Sequence, residues 1–227
     1  MVTVISLGGS IIVPDHIDVD FLARFKEAIV QYLEKDQERK LILVCGGGAP
    51  ARIYQNAMKA LNDDTESTAL DWLGIKATHL NAQLVKTLFG ELAPSEVVTD
   101  PTAEFIFEGR ILIAAGWKPG FSTDTDAVYL AERFDSNLII NLSNTAQVYT
   151  ADPRIDPTAT PLEHITWSDY RTMIGSEWSP GRSTPFDPVA SQKAESLSMS
   201  VICADGRAIE NTIAILEGNE FLGTTIS

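Results

Sequence analysis

Leu41–Arg52, LILVCGGGAPAR, runs five apolar residues straight into three consecutive glycines, and then into a helix-compatible segment carrying Ile53, Tyr54, Ala57 and Met58. A short, continuously apolar run before a glycine cluster reads as a buried parallel strand ending in a tight turn. Glycines there let backbone N–H groups approach a ligand with no Cβ in the way. The helix that follows points its positive N-terminus at the same spot, which favours a phosphate or another anion. Arg52 stands near that terminus and adds a guanidinium suited to bidentate phosphate contact. A turn needing glycine for shape alone would look the same, but the pattern recurs. Thr3–Leu7 runs into Gly8-Gly9-Ser10, and Ile111–Ala115 meets Gly116-Trp117-Lys118-Pro119-Gly120-Phe121-Ser122-Thr123.

Between these turns lie helical patterns. Asp20 is placed to cap a helix whose face is Phe21, Leu22, Phe25, Ala28, Ile29, Tyr32 and Leu33. Ala69 to Phe89 carries Leu73, Ala77, Leu80, Leu84 and Leu88 without a proline, with Asp71 near its start, where a carboxylate suits the helix dipole. Asp124 and Asp126 open the helix AVYLAERF, and Leu138–Leu142 reads as a further parallel strand. Ser143 to Pro161 is then expected to be a long loop, and such loops in compact domains are commonly functional. Thr166 caps a short helix to Ile174, and Ser176–Pro185 is polar with Gly and Pro. A helix over Asp187–Leu197, a strand over Ser200–Ala204, a helix over Ala208–Leu216 and a last strand over Gly223–Ile226 complete the pattern. Strand–turn–helix repetition of this kind predicts an open α/β sheet with its ligand loops gathered at the carboxyl ends of the strands. Two glycine turns beside a loop of hydroxyls and carboxylates can hold two phosphorylated molecules head to head, which is the geometry of phosphoryl transfer.

Composition narrows the function. The 227 residues are 44% hydrophobic and 21% charged, with a formal net charge of −14. That charge argues against nucleic acid, which needs a basic face. No apolar run is long enough to cross a membrane, and MVTVISLGGS lacks the basic segment of a signal peptide, so a cytoplasmic location is expected. Cys45 and Cys203 sit in apolar strand-like runs and read as core residues. His16, His79 and His164 lack ligand spacing, so no protein metal site is expected. Neither G-x-x-x-x-G-K-[ST] nor an ordered G-x-G-x-x-G occurs, which excludes a P-loop kinase and weakens a dehydrogenase.

The segments ISLGGSIIVP, CGGGAPARIY, DWLGIKATHLNA, GWKPGFSTD, VYTADPRIDPTA, FDPVA and GTTI together resemble the amino acid kinase superfamily, and within it the archaeal-type uridylate kinases. The resemblance covers nearly the whole chain. It implies one three-layer α/β/α sandwich of the eight-stranded type with a mainly parallel central sheet, divided into an acceptor half (about 1–135) and an ATP half (about 136–227). It also implies a homohexamer that moves the ATP γ-phosphate to UMP in pyrimidine nucleotide synthesis, with Mg²⁺ carried by ATP rather than by the protein. Carried over, it assigns Gly9, Ser10, Gly48, Arg52, Ser143, Asn144, Tyr149 and Asp152 to ATP. Gly47, Asp71 and Gly116 through Thr123, which includes Trp117, Lys118, Pro119, Gly120, Phe121 and Ser122, are assigned to UMP. Asp124 matches the carboxylate that organises the site.

The sequence departs from the family pattern in four places. Ser6 and Gln192 stand where members commonly carry lysines, Ala146-Gln147 replaces an acid and a glycine, and Asp126 is an added acid. Lys118, inside the glycine loop, is the candidate substitute cation; Arg52, Lys193 and Arg182 are the other cations along the motifs. The competing readings are a kinase for another small phosphate or carboxylate acceptor, and a non-catalytic nucleotide-binding or storage member. Isopentenyl phosphate kinases are also similar, but their histidine beside the glycine loop is missing. The four tryptophans, Trp178 among them, read as packing or loop anchors, although Trp117 sits where a base could lie.

Overall fold

The computed structural model describes residues 2–153, 155–175 and 184–227. Trp178, Arg182 and most of the expected polar segment before Pro185 lie outside the described residues.

The strands are β1 (Val2–Leu7), β2 (Lys40–Cys45), β3 (Ile111–Ala114), β4 (Leu138–Ser143), β5 (Val148–Tyr149), β6 (Pro161–Leu162), β7 (His164–Ile165), β8 (Ser200–Asp205) and β9 (Thr224–Ile226). The helices are α1 (Gly9–Ile12), α2 (Val19–Glu34), α3 (Gly48–Leu61), α4 (Ser67–Phe89), α5 (Thr123–Arg133), α6 (Trp167–Ile174), α7 (Pro188–Ser196) and α8 (Ile209–Glu217). The main sheet has seven strands in the order β3-β2-β1-β4-β8-β9-β7, one fewer than the resemblance implies. All its pairings are parallel except β8 with β9.

Both faces of the sheet are covered, which is why its central strands carry apolar residues on both faces rather than at alternate positions, with Ser6 and Asn141 as buried polar exceptions. Ile5, Leu7, Leu43, Ile113, Ile140 and Ile202 pack under α1, α2, α4 and α8. Val4, Ile42, Val44, Leu112, Ile139 and Val201 pack under α5, α6 and α7. Cys45 and Cys203 are buried free thiols in these two layers, and burial pushes both up to about 12.

Several local expectations need correction. Asp18, not Asp20, caps α2, because the Asp18 carboxylate accepts the Phe21 N–H; Asp20 falls in the first turn. The segment after β4 is not a plain loop: β5 and β6 pair antiparallel within it. Gln147 explains how. Its amide donates to the carbonyls of Leu162 (3.4 Å) and Gly223 (3.1 Å), while the Thr224 hydroxyl accepts the Val148 N–H at 2.8 Å. A glycine at position 147 would make neither amide contact.

Strand order reverses between β1 and β4: β2 and β3 extend one way from β1, while β4 and β8 extend the other. In a parallel sheet this reversal opens a crevice at the carboxyl ends of the strands. The Gly8 N–H bonds the Leu142 carbonyl at 2.8 Å and the Gly46 N–H bonds the Leu7 carbonyl at 2.9 Å, so the first two glycine turns meet at that point.

Candidate active site

The two turns abut too closely for side chains. A Cβ on Gly9 would lie 2.0 Å from the Gly48 nitrogen, and one on Gly48 would lie 2.3 Å from the Gly9 carbonyl oxygen. Gly48 also has φ +63°, a conformation other residues rarely adopt. The N-terminus of α3 opens at Gly48 on this contact; in its first turn the Ala49 N–H already donates to the Val13 carbonyl at 2.9 Å, and Pro50 has no N–H to offer. Arg52, one turn into α3, is exposed and donates to the Pro14 carbonyl at 3.0 Å, bridging to the end of α1.

The third loop is held against these two by α4. Asp71 lies one turn inside α4, so it is not a cap; its Oδ2 accepts the Gly120 N–H at 3.1 Å. Burial raises its pKa, and the Gly120 N–H opposes that rise. Thr78 Oγ1 accepts the Gly116 N–H at 2.8 Å, and His79 Nε2 donates to the Gly116 carbonyl at 2.8 Å. Asn81 Nδ2 donates to the Gly46 and Gly47 carbonyls at 2.8 and 3.0 Å. The sequence reading named none of Thr78, His79 and Asn81 as site residues. The available signal was polar spacing: Asp71, Gly74, Thr78 and Asn81 fall three or four apart, one face of a helix.

Inside the third loop, Trp117 packs on Phe121 and Tyr129 at centroid separations of 5.1 and 5.9 Å. The Lys118 ammonium lies over the Trp117 ring at 3.6 Å and the Phe121 ring at 4.8 Å. The nominated substitute cation therefore rests on aromatic faces. Lys193 is also engaged, 2.6 Å from Glu132 and over the Tyr129 ring. Gln192 lines a cleft between α5 and α7 with Phe121 and Thr125.

Asp124 stands where α5, β1 and α7 meet. Ser122 caps α5 by accepting the Thr125 N–H, which frees Asp124 from capping. Asp124 Oδ1 accepts from the Ser6 hydroxyl at 2.9 Å, and Oδ2 accepts the Asp187 N–H at 3.2 Å. Burial pushes its pKa up to about 6; the Ser6 hydroxyl pulls it down and the Asp187 charge adds to the rise. Asp187 caps α7 through the Ala190 N–H, and burial raises its pKa too. Asp126 lies two residues further along α5. Its Oδ2 accepts the Trp117 N–H at 3.1 Å, and its Oδ1 is buried with no hydrogen-bond partner among the described residues.

On the other side of the reversal, Ser143, Asn144, Tyr149 and Asp152 line one crevice of about 780 Å³, with Met173 and Ile174 of α6 as apolar wall. That size and mixture suit a nucleotide. The structure thus brings the sequence-nominated residues into two neighbouring regions. Gly116–Thr123 and Asp71 lie on one side of the Gly9–Gly48 contact, and Ser143–Asp152 lie on the other. Arg52 reaches Pro14 near the contact, and Lys118 stays on the Trp117 and Phe121 rings of the third loop.

A family model described as amino acid kinase family matches residues 1–205. The uridylate kinase of Methanospirillum hungatei is 34% identical over 227 residues, covering 99% of this chain and 94% of that protein. The uridylate kinase of Pyrococcus abyssi is 34% identical over 190 residues, 82% of each chain. The crystal structure of uridylate kinase from Archaeoglobus fulgidus matches with a TM-score of 0.82 at 27% identity, covering 100% of both chains.

Proposed function

The chain belongs to the amino acid kinase family, and on that footing we propose that it transfers the γ-phosphate of ATP to UMP, giving UDP. The relatives named as uridylate kinases support the reaction. The observation that carries it is the Gly9–Gly48 contact, where two turns with no room for a Cβ meet at the strand-order reversal. Phosphoryl transfer asks a protein mainly to position two anions and to stabilise charge on the moving group. Glycine backbone with no Cβ in the way, at the head of α3 and between an acceptor region and a donor region, suits that task.

In this reading Gly9, Ser10 and Gly48 receive the ATP phosphates, and Ser143, Asn144, Tyr149 and Asp152 receive its nucleoside. Gly47 and the Gly116–Thr123 loop receive UMP, with Asp71 toward the ribose; Arg52 closes the junction. Residues 1–135 form the acceptor half and 136–227 the ATP half. Mg²⁺ enters on the ATP phosphates and supplies positive charge there.

The chain also exposes large apolar side chains on the packed pair α3 and α4. Ile53, Tyr54 and Leu61 of α3, with Trp72 and Leu80 of α4, are exposed, and only Ala49 of α3 is buried. Those side chains support assembly as a homo-oligomer, a hexamer in this reading. No helix of the described residues is long and apolar enough to cross a membrane; a cytoplasmic role in pyrimidine nucleotide synthesis belongs to the same proposal.

The test is ADP release, measured by a coupled assay against each ribo- and deoxyribonucleoside monophosphate. UMP is expected to give the highest kcat/KM. Faster turnover of another monophosphate would remove the acceptor assignment. Nucleotide binding by calorimetry without any transfer would support a binding or storage protein, the reading favoured by Ser6, Ala146 and Gln192.

A further inference from the structure

Ser6 is the one hydroxyl in the inner apolar stretch of β1. It is 2% exposed and registers between Val44 of β2 and Asn141 of β4. Burying a hydroxyl in a sheet interior costs free energy unless it is bonded. Its bond reaches 118 positions along the chain to Asp124 Oδ1, at 2.9 Å. The groups that face Asp124 are Asp187 at the head of α7, Asp126 on its own helix, Tyr170 of α6 and Cys203 of β8. None of them is a cation. Asp187 adds like charge, and burial also favours the neutral acid. The Ser6 O–H and the Asp187 backbone N–H are therefore the donors that hold the ionised form, and only the first belongs to a side chain.

We propose that Ser6 is a positioning residue: its buried hydroxyl keeps the Asp124 carboxylate ionised and fixed against β1, two residues before the first glycine turn, and so sets the pH at which the site becomes competent. The inference rests on the proposed phosphoryl transfer for its consequence in catalysis, and on geometry alone for its effect on Asp124. A half-buried carboxylate with no cation beside it becomes harder to ionise when it loses one of its two donors. Hydrogen bonds to charged groups are strong enough that deleting one is expected to raise the Asp124 midpoint by about one pH unit.

The experiment follows the Asp124 side-chain carboxyl by ¹³C NMR across pH in the full-length protein, with the signal assigned by its loss in Asp124→Asn. The acid limb of kcat is measured on the same preparations. Ser6→Ala is expected to move the carboxyl midpoint, which lies near 6 in the unaltered protein, and the acid limb upward together. At pH 6.5 a shift of about one unit lowers the ionised fraction about threefold. Ser6→Thr, which keeps the hydroxyl, is expected to return both toward the starting values. A midpoint unmoved in Ser6→Ala, in protein that remains folded by circular dichroism, would overturn the proposal. A midpoint that moves while no monophosphate is phosphorylated would uphold the role of Ser6 and overturn the kinase reading. Transfer to UMP with an unmoved midpoint would do the reverse.

Discussion

Replacing Asp126 with asparagine is expected to stabilise this protein at alkaline pH and to flatten its stability profile. Asp126 is 1% exposed, and Oδ1 has no hydrogen-bond partner among the described residues. Burial pushes its pKa up to about 8; the Trp117 N–H opposes the rise, Asp124 and Asp100 reinforce it, and Lys118 weakly opposes it. An aspartate in the unfolded chain titrates near 4. Below about pH 4 both states hold the proton and the site has no effect on stability. Between about 4 and 8 the folded state keeps its proton while the unfolded state has released it, so stability falls as pH rises. At 1.36 kcal/mol per unit, the interval from about pH 5.5 to 8.0 carries about 3 kcal/mol. The asparagine side chain imitates the neutral acid: its amide oxygen takes the Trp117 N–H and no charge is buried. Urea denaturation at fixed protein concentration, across that interval, is the measurement; the concentration matters because oligomerisation adds to apparent stability. Asp124 and Asp187, also raised by burial, contribute with the same sign, so the informative quantity is the difference between the two proteins. That difference is expected to grow with pH by about 3 kcal/mol. Parallel curves for wild type and Asp126→Asn would refute the reasoning, because they would mean that Asp126 is already ionised or already paired in the folded state.

Gly9→Ala is expected to reduce kcat by more than about 100-fold, since its Cβ would sit 2.0 Å from the Gly48 nitrogen and misplace the backbone donors; wild-type kcat would mean that the cradle tolerates expansion. Arg52→Ala is expected to lower kcat/KM about 10- to 150-fold with little change in melting temperature, because Arg52 is exposed; unchanged kinetics would leave Arg52 as a tie to Pro14 alone. Gln147→Ala strands the Gly223 carbonyl, which Gln147 contacts at 3.1 Å, and is expected to cost about 1–3 kcal/mol of stability and to raise KM for ATP through the adjoining Tyr149; denaturation together with ATP titration checks both.

The longer strands and the sites of their turns were legible in the sequence because each signal is local, whereas the two-residue strands β5, β6 and β7 were not. An apolar run that stops at glycine, as at Val44-Cys45-Gly46, carries its own reading in a dozen residues, and the placement of β1, β2 and β3 follows from it, as that of β4 and β8 follows from their apolar runs. The motifs also carried the family and the nominated phosphate loops. Contacts between distant side chains were not legible, because nothing in a stretch of chain states which partner will satisfy a buried polar group. Asp71 taken alone read as a helix-dipole carboxylate, yet the fold spends it on the Gly120 N–H. Lys118 read as the candidate substitute cation, yet its ammonium rests over two aromatic rings of its own loop. Gln147 read as a departure, yet it ties β5 to β6 and to the turn before β9. Ser6 read as a missing charge, and only the parallel pairing of β1 with β4, with α5 laid across them, turned it into the hydroxyl that holds Asp124. Backbone pattern is set by neighbours in sequence, whereas the state of a buried carboxylate is set by whatever the tertiary fold places within hydrogen-bonding reach of it.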